Sequence, residues 1–255
     1  MSGTSAARKT WMLGSSAAAM ITIPTLGPLV GGGENAEDVD TEITPPNYAF
    51  SVWAPIFAAV AANAAQRALS RESLSARDDT YWISGAYAMN AAWSVAAQAG
   101  RWRLTAPLLA TAAALAGVAY SKAQPQDRMP TRKAVQHLGP ISHGALFGWT
   151  SLAAVINAFA VPNARLRTSQ ETWAPPAAAL AATALSSVVV TSTSTPGALA
   201  VALPPAWGLA TLSADSRRMP RTRIIAAAGA AWLTGAATIG RLCKARRGGK
   251  KRRIL

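Results

Sequence analysis

The chain has 255 residues, 51% of them hydrophobic and only 14% charged, where an ordinary soluble domain carries about 25% charged residues. The charges fall in short clusters between long uncharged runs, which excludes a soluble globule, because a charge at the bilayer centre costs roughly 2.5–3.5 kcal/mol. The net charge of +14 is weighted toward the segment after Gly240, where eight Lys and Arg follow an apolar helix; such a tail reads as a cytoplasmic-side anchor or anionic-lipid contact rather than a nucleic-acid surface.

Eight helices are expected in chain order: Trp11–Val30, Tyr48–Leu69, Tyr81–Ala99, Leu104–Tyr120, Leu138–Val161, Trp173–Thr191, Gly197–Leu212 and Ile224–Cys243. A span needs about 20 apolar residues. The first run follows Arg8 and Lys9 as a signal peptide would, but it is long for one and is read as a retained span. The seventh is the shortest and carries Pro204-Pro205, which neighbouring helices in a membrane can absorb. The sixth and seventh could instead form one element broken around Ser192–Pro196.

Basic residues set the orientation. With eight spans and an inside N-terminus, 17 of the 25 Lys and Arg fall on the inside, and the first outside loop holds Glu34, Glu37, Asp38, Asp40 and Glu42. A multi-pass protein of a bacterial inner membrane or an organelle membrane is expected, with both termini on the cytoplasmic or equivalent side. Among the Trp residues, Trp11, Trp82, Trp102 and Trp173 lie at span ends. Trp53, Trp93, Trp149, Trp207 and Trp232 lie deeper and are expected to face the bundle or a cavity, because a buried indole N–H wants a partner. Gly144 and Gly148 form a GxxxG pair suited to close helix packing.

Arg67 counts with the loop after the second helix and Arg241 with the basic tail, so the spans are read as free of Asp, Glu, Lys and Arg. His143 is then the one ionisable group at depth, near a helix end, and a hydrogen-bonded structural role is preferred to that of a haem or chlorophyll ligand. The usual machinery of proton pumps and ion-coupled carriers is missing, as are a phosphate loop and a Ser-His-Asp set. The single Cys243 rules out an internal disulfide and a CxxC metal site. No enzyme is expected.

Three constellations remain. Pro45-Pro46 opens the second helix, at a start where donors are free anyway, and Tyr48, Phe50 and Trp53 follow. In the third helix Asn90 and Trp93 share a face, with Ser94 beside them. In the fifth, Trp149, Ala153 and Asn157 form one stripe. Each alone could be helix-packing glue. Together they describe a pocket with aromatic walls and few polar groups, suited to a large flat apolar ligand.

This set resembles the translocator protein, or tryptophan-rich sensory protein (TspO/MBR), family. Its second helix begins Pro-Pro-x-Trp-Val-Phe-Gly-Pro-Val-Trp; Pro45, Pro46 and Phe50 match, Tyr48 replaces the first Trp, and Trp53 comes one residue early. Its third helix reads Asn-x-x-Trp-Ser, matched by Asn90, Trp93 and Ser94. Its fifth reads Trp-x-x-x-Ala-x-x-x-Asn, matched by Trp149, Ala153 and Asn157. The resemblance covers roughly residues 11–161. It implies a five-helix core that binds porphyrins, sterols or synthetic aromatic ligands, with Trp53, Asn90, Trp93, Trp149 and Ala153 in the pocket and Tyr48, Phe50 and Asn157 completing the lining.

The family's sterol segment needs a Tyr followed by a basic residue; here Phe159 stands in that region and the nearest base is Arg165. The organisation expected is an all-α membrane bundle: residues 1–165 the five-helix core, 166–243 three further spans, 244–255 a basic tail. The last three helices have no counterpart in short family members, so the chain looks more like the longer branch. Expected partners are membrane lipids, a hydrophobic small molecule such as a tetrapyrrole, and a second copy or a larger membrane complex, with no nucleic acid. The alternative role is an accessory structural subunit of a respiratory or photosynthetic complex. Alternating-access transport has only the paired prolines in its favour.

Overall fold

A computed structural model describes residues 2–30, 40–69, 79–123, 135–163 and 197–251, and every regular element among them is helical. The helices are α1 (Ser2–Val30), α2 (Trp53–Leu69), α3 (Thr80–Gln98), α4 (Trp102–Lys122), α5 (Val135–Asn163), α6 (Ala198–Ala214) and α7 (Pro220–Lys251). A 3-10 stretch, Asn47–Val52, leads directly into α2. Seven of the eight expected helices are present; the expected sixth, Trp173–Thr191, lies outside the described residues. Asn47–Leu69, Trp102–Lys122 and Pro220–Ile239 are long and apolar enough to cross a membrane by length and composition.

The first five helices close into a ring in the order α1, α3, α4, α5, α2 and back to α1. Small residues let them approach. On α4 the buried face is Ala112, Ala116 and Ala119 with Leu109 and Tyr120, a spacing of three and four that puts one smooth side against α3 and α5. The ring's polarity is the reverse of a soluble protein's. Large apolar side chains such as Val95, Leu104, Ile141 and Ile239 face outward, while Asn63, Ser84, Asn90, Ser142 and His143 are buried. This suits a surface bathed in hydrocarbon and an interior where polar groups find each other.

α6 lies outside the ring against α5, and α7 packs back along α6. α5 and α6 run parallel, because Gly144 meets Gly197 and Val201, Gly148 meets Val201 and Pro205, and Leu152 meets Gly208. α5 therefore ends at one end of the bundle and α6 begins at the other. The GxxxG pair thus serves the α5–α6 contact. A Cβ on Gly148 would overlap the carbonyl oxygen of Val201. Pro204 and Pro205 lack the N–H groups that would bond this carbonyl within α6, so it is free to receive the Cα–H of Gly148, a weak contact of a kind common between helices. At the α6 start, Gly197 takes φ 90° and sits against the Pro140 carbonyl. A side chain there would be strained by backbone and neighbour alike.

Gly148→Ala is expected to lower stability by about 1–3 kcal/mol through overpacking. Gly14→Ala, where a Cβ meets nothing within 4 Å, should be neutral or stabilising by up to about 1 kcal/mol. Thermal unfolding of the two purified variants in detergent, followed by tryptophan fluorescence, checks the contrast. Equal melting temperatures would remove the α5–α6 contact from the account.

Candidate functional site

Three of the ring helices bring their aromatic residues to one place. The indole of Trp53 stacks on Trp93 of α3, with centroids 6.3 Å apart and planes at 28°, and on Phe57 one turn along α2 at 5.3 Å. Trp149 of α5 stands edge-on to Trp53 at 6.1 Å and to Phe50 at 6.0 Å. These are offset and T-shaped geometries favoured by the ring quadrupoles. Trp149 is almost fully buried, with Leu146 and Leu152 around it in the core.

The winding before α2 explains why Trp53 faces inward although it stands one residue early. A 3-10 helix turns about 120° per residue and an α-helix about 100°. The five steps from Asn47 to Val52 therefore rotate the chain about as far as six steps of α-helix. With three residues per turn, Phe50 and Trp53 eclipse each other, and both reach Trp149.

The polar residues of the cluster are unsatisfied. Asn90 is 1% exposed, and neither its amide nitrogen nor its amide oxygen has a hydrogen-bond partner. The indole N–H of Trp93, one turn along the same face of α3, is buried and unpartnered as well. Leaving such groups unbonded costs about 1–3 kcal/mol each. Ser94, next to Trp93, instead accepts a bond from Gln98 at 2.9 Å.

Other expected residues lie elsewhere. Tyr48 is more than half exposed and turns edge-on to Trp207 of α6, 6.4 Å away, because in the 3-10 turn it points about 120° from the Phe50 face. Ala153 is buried one turn beyond Trp149. Asn157 is eight residues, about 12 Å, past Trp149 along α5, and its amide bonds back to the Ala153 carbonyl at 2.9 Å. Of the five deep indoles, Trp207 is partly exposed but donates to the Ala49 carbonyl at 2.9 Å. Trp232 is 55% exposed among the described residues, against expectation: the apolar side chains that α7 buries are those of Ala226, Leu233 and Ala237, on a different face from Trp232.

At the opposite end of the ring lies a buried ionic cluster that sequence reading did not foresee. Arg67, in the last turn of α2, is 2% exposed. Its Nη1 donates to Asp79 Oδ1 at 3.0 Å, and its Nη2 to Asp79 Oδ2. Nη1 also reaches Thr80 Oγ1 at 3.3 Å, and Nε donates to Asn63 Oδ1 at 3.2 Å. Nε2 of His143 sits 3.1 Å from the same Asp79 oxygen. His143 is thus hydrogen-bonded, but it is not the only ionisable group at depth. The signal was the phase of α2: Ile56, Val60, Asn63 and Arg67 follow one buried stripe. Asp79, just before α3, caps nothing with its side chain, because its carboxylate is taken by Arg67 and His143. Burial pushes that carboxyl up, but the hydrogen bonds from His143 and Arg67 outweigh it and hold the group well below the usual carboxylate range.

A cavity of about 410 Å³ lies between α1 and α2 near this end, lined by Trp11, Leu13, Gly14, Ala18 and Ala64 among others. It is apart from the aromatic cluster, and its charged wall residue, Arg67, is already bonded to Asp79.

The family model described as TSPO-like protein matches residues 12–239 of the chain. The match runs through α6 and most of α7, well past the region of the three motifs. No curated protein and no solved structure matches the chain.

Asp79→Asn strips Arg67 of its counter-charge and should destabilise the fold by about 3–5 kcal/mol, measured as thermal unfolding at pH 7. Since the folded carboxyl ionises below the unfolded value of about 3.9, its contribution is complete above that pH and is lost as pH falls through and below it. The wild-type melting temperature should therefore drop on acidification below about pH 4, and that of Asp79→Asn should drop less. Parallel acid profiles would refute this assignment.

Proposed function

The chain belongs to the TSPO-like family and is an integral membrane protein of that type; from this premise we propose that it binds a large, flat, hydrophobic ligand among α2, α3 and α5, without catalysing a reaction. The observation that carries this reading is the pairing of opposites at one point. Trp53, Phe57, Trp93 and Trp149 supply apolar faces, and the Trp93 N–H and the Asn90 amide one turn before it on α3 are buried without a partner. A ligand that meets both demands has an extended aromatic surface with hydrogen-bonding atoms near its centre. A tetrapyrrole has that chemistry, and its pyrrole nitrogens can face an amide and an indole.

The role is sensing, regulation or transport of that ligand. The protein passes the membrane several times with both termini on the cytoplasmic or equivalent side. The excess of basic residues in the segments on that side supports this orientation. Partners on this reading are lipids and the hydrophobic ligand.

Titration of the purified protein with protoporphyrin, read by tryptophan quenching, should saturate. Trp149→Ala should weaken binding at least tenfold. Asn90→Leu gives the sharper result: replacing an unbonded buried amide with an apolar side chain of similar volume is neutral or stabilising for the fold, while it removes the ligand's polar contact. A raised or unchanged melting temperature together with weaker binding supports the site. Unsaturable quenching, or affinity unchanged in both variants, overturns it.

A further inference from the structure

The segment Asp40–Val52 leads into the aromatic cluster, carrying Phe50 against Trp149 and delivering Trp53 to Trp93. Internally it is a compact turn. Thr44 N–H donates to the Thr41 carbonyl at 3.0 Å, Thr41 N–H donates to Thr44 Oγ1 at 3.1 Å, and Ile43, Pro45 and Pro46 are buried. Its polar fastenings to the rest of the protein are notable for where they go. Apart from its direct continuation into α2, whose first N–H bonds back to Phe50 and Ser51, the hydrogen bonds given for this segment to other elements among the described residues run to the α6–α7 hairpin.

Arg218, in the turn between α6 and α7, is 8% exposed. Its Nη2 donates to Asp40 Oδ1 at 2.6 Å and to the Thr44 carbonyl at 2.8 Å. Its Nε lies 3.2 Å from Asp215 Oδ2, so a buried guanidinium is shared between the segment and its own turn. Met219 N–H donates to the Glu42 carboxylate. On α6, Trp207 donates to the Ala49 carbonyl at 2.9 Å and meets the ring of Tyr48. One residue further, Gly208 lets the Trp149 ring approach so closely that a Cβ there would sit 3.1 Å from Cζ3. The hairpin therefore touches both the access segment and the wall of the cluster.

We propose that the α6–α7 hairpin is a latch: Arg218 and Trp207 hold Asp40–Val52 closed over the aromatic cluster, and a ligand reaches the cluster when this segment lets go of the hairpin. The ligand part of this inference rests on the reading of the site given above; the latch itself does not. In a closed site the exchange of ligand is limited by opening, so loosening the latch speeds entry and exit together and leaves equilibrium affinity nearly unchanged.

The test uses the full chain in lipid nanodiscs. In Arg218→Ala, amide hydrogen exchange in residues 40–52 is expected to accelerate about tenfold or more, with α3 and α4 unchanged. Trp207→Phe, which keeps the ring and every charge, is expected to do the same more weakly, and it serves if Arg218→Ala does not fold. Stopped-flow quenching with protoporphyrin should then show association and dissociation both faster in these variants. Unchanged exchange of residues 40–52 in the folded variants overturns the latch. So does faster exchange with unaltered porphyrin rates. If the wild type binds no porphyrin, the ligand reading fails, while hydrogen exchange still decides whether the hairpin holds the segment.

Discussion

A charged group survives burial only if its partner is buried with it, and Arg67 with Asp79 is the pair on which the ring depends. The guanidinium comes from the end of α2 and the carboxylate from the threshold of α3. These two helices are neighbours in sequence but are separated by α1 around the ring. The pair fastens them across its interior, and His143 adds α5 to the same knot. Bonds from Asn63 and Thr80 bring further partners to a charge that bulk water would otherwise have to solvate. The knot sets one end of the bundle, so the stretch of α2, α3 and α5 beyond it is free to be aromatic.

That division gives the ring interior a polarity gradient along its length. Near Asp79 a guanidinium, a carboxylate and an imidazole bond one another, and Tyr87 and Ser142 continue the pattern at 3.3 Å; toward the other end Trp53, Trp93 and Trp149 make the interior aromatic. Buried polar atoms without a partner occur along both stretches, Asn63 Nδ2 and Ser84 Oγ in one, the Asn90 amide and Trp93 N–H in the other. On the proposed reading the Asn90 amide is the group that would meet the polar atoms of a ligand.

Much of this was legible in the amino-acid sequence. Long uncharged runs specify helices in lipid with little ambiguity, and indoles at helical spacing on three runs identify faces that meet. What escaped reading depended on angles that counting residues does not supply. Arg67 was assigned to a loop because it is charged and near a helix end, although its phase with Ile56, Val60 and Asn63 already turned it inward. Trp232 was expected inside because indoles prefer partners, but among the described residues it lies off the face through which α7 packs on α6. Tyr48 was grouped with Phe50 and Trp53 by proximity in the chain, and the tighter 3-10 winding separated them. Asn157 was placed in the pocket lining on one stripe with Trp149 and Ala153, and its amide bonds to its own helix. The tie from Arg218 to Asp40 joins residues too far apart in the chain for any local pattern to show it.

The 3-10 turn before α2 has a consequence beyond this chain. It climbs about 2.0 Å per residue where an α-helix climbs about 1.5 Å, so its five steps match six α-helical steps in depth to within about 1 Å as well as in azimuth. A residue can be lost here while the Trp53 indole keeps its address in the bilayer. One added residue together with a change from 3-10 to α winding would leave that side chain at the same height and on the same face.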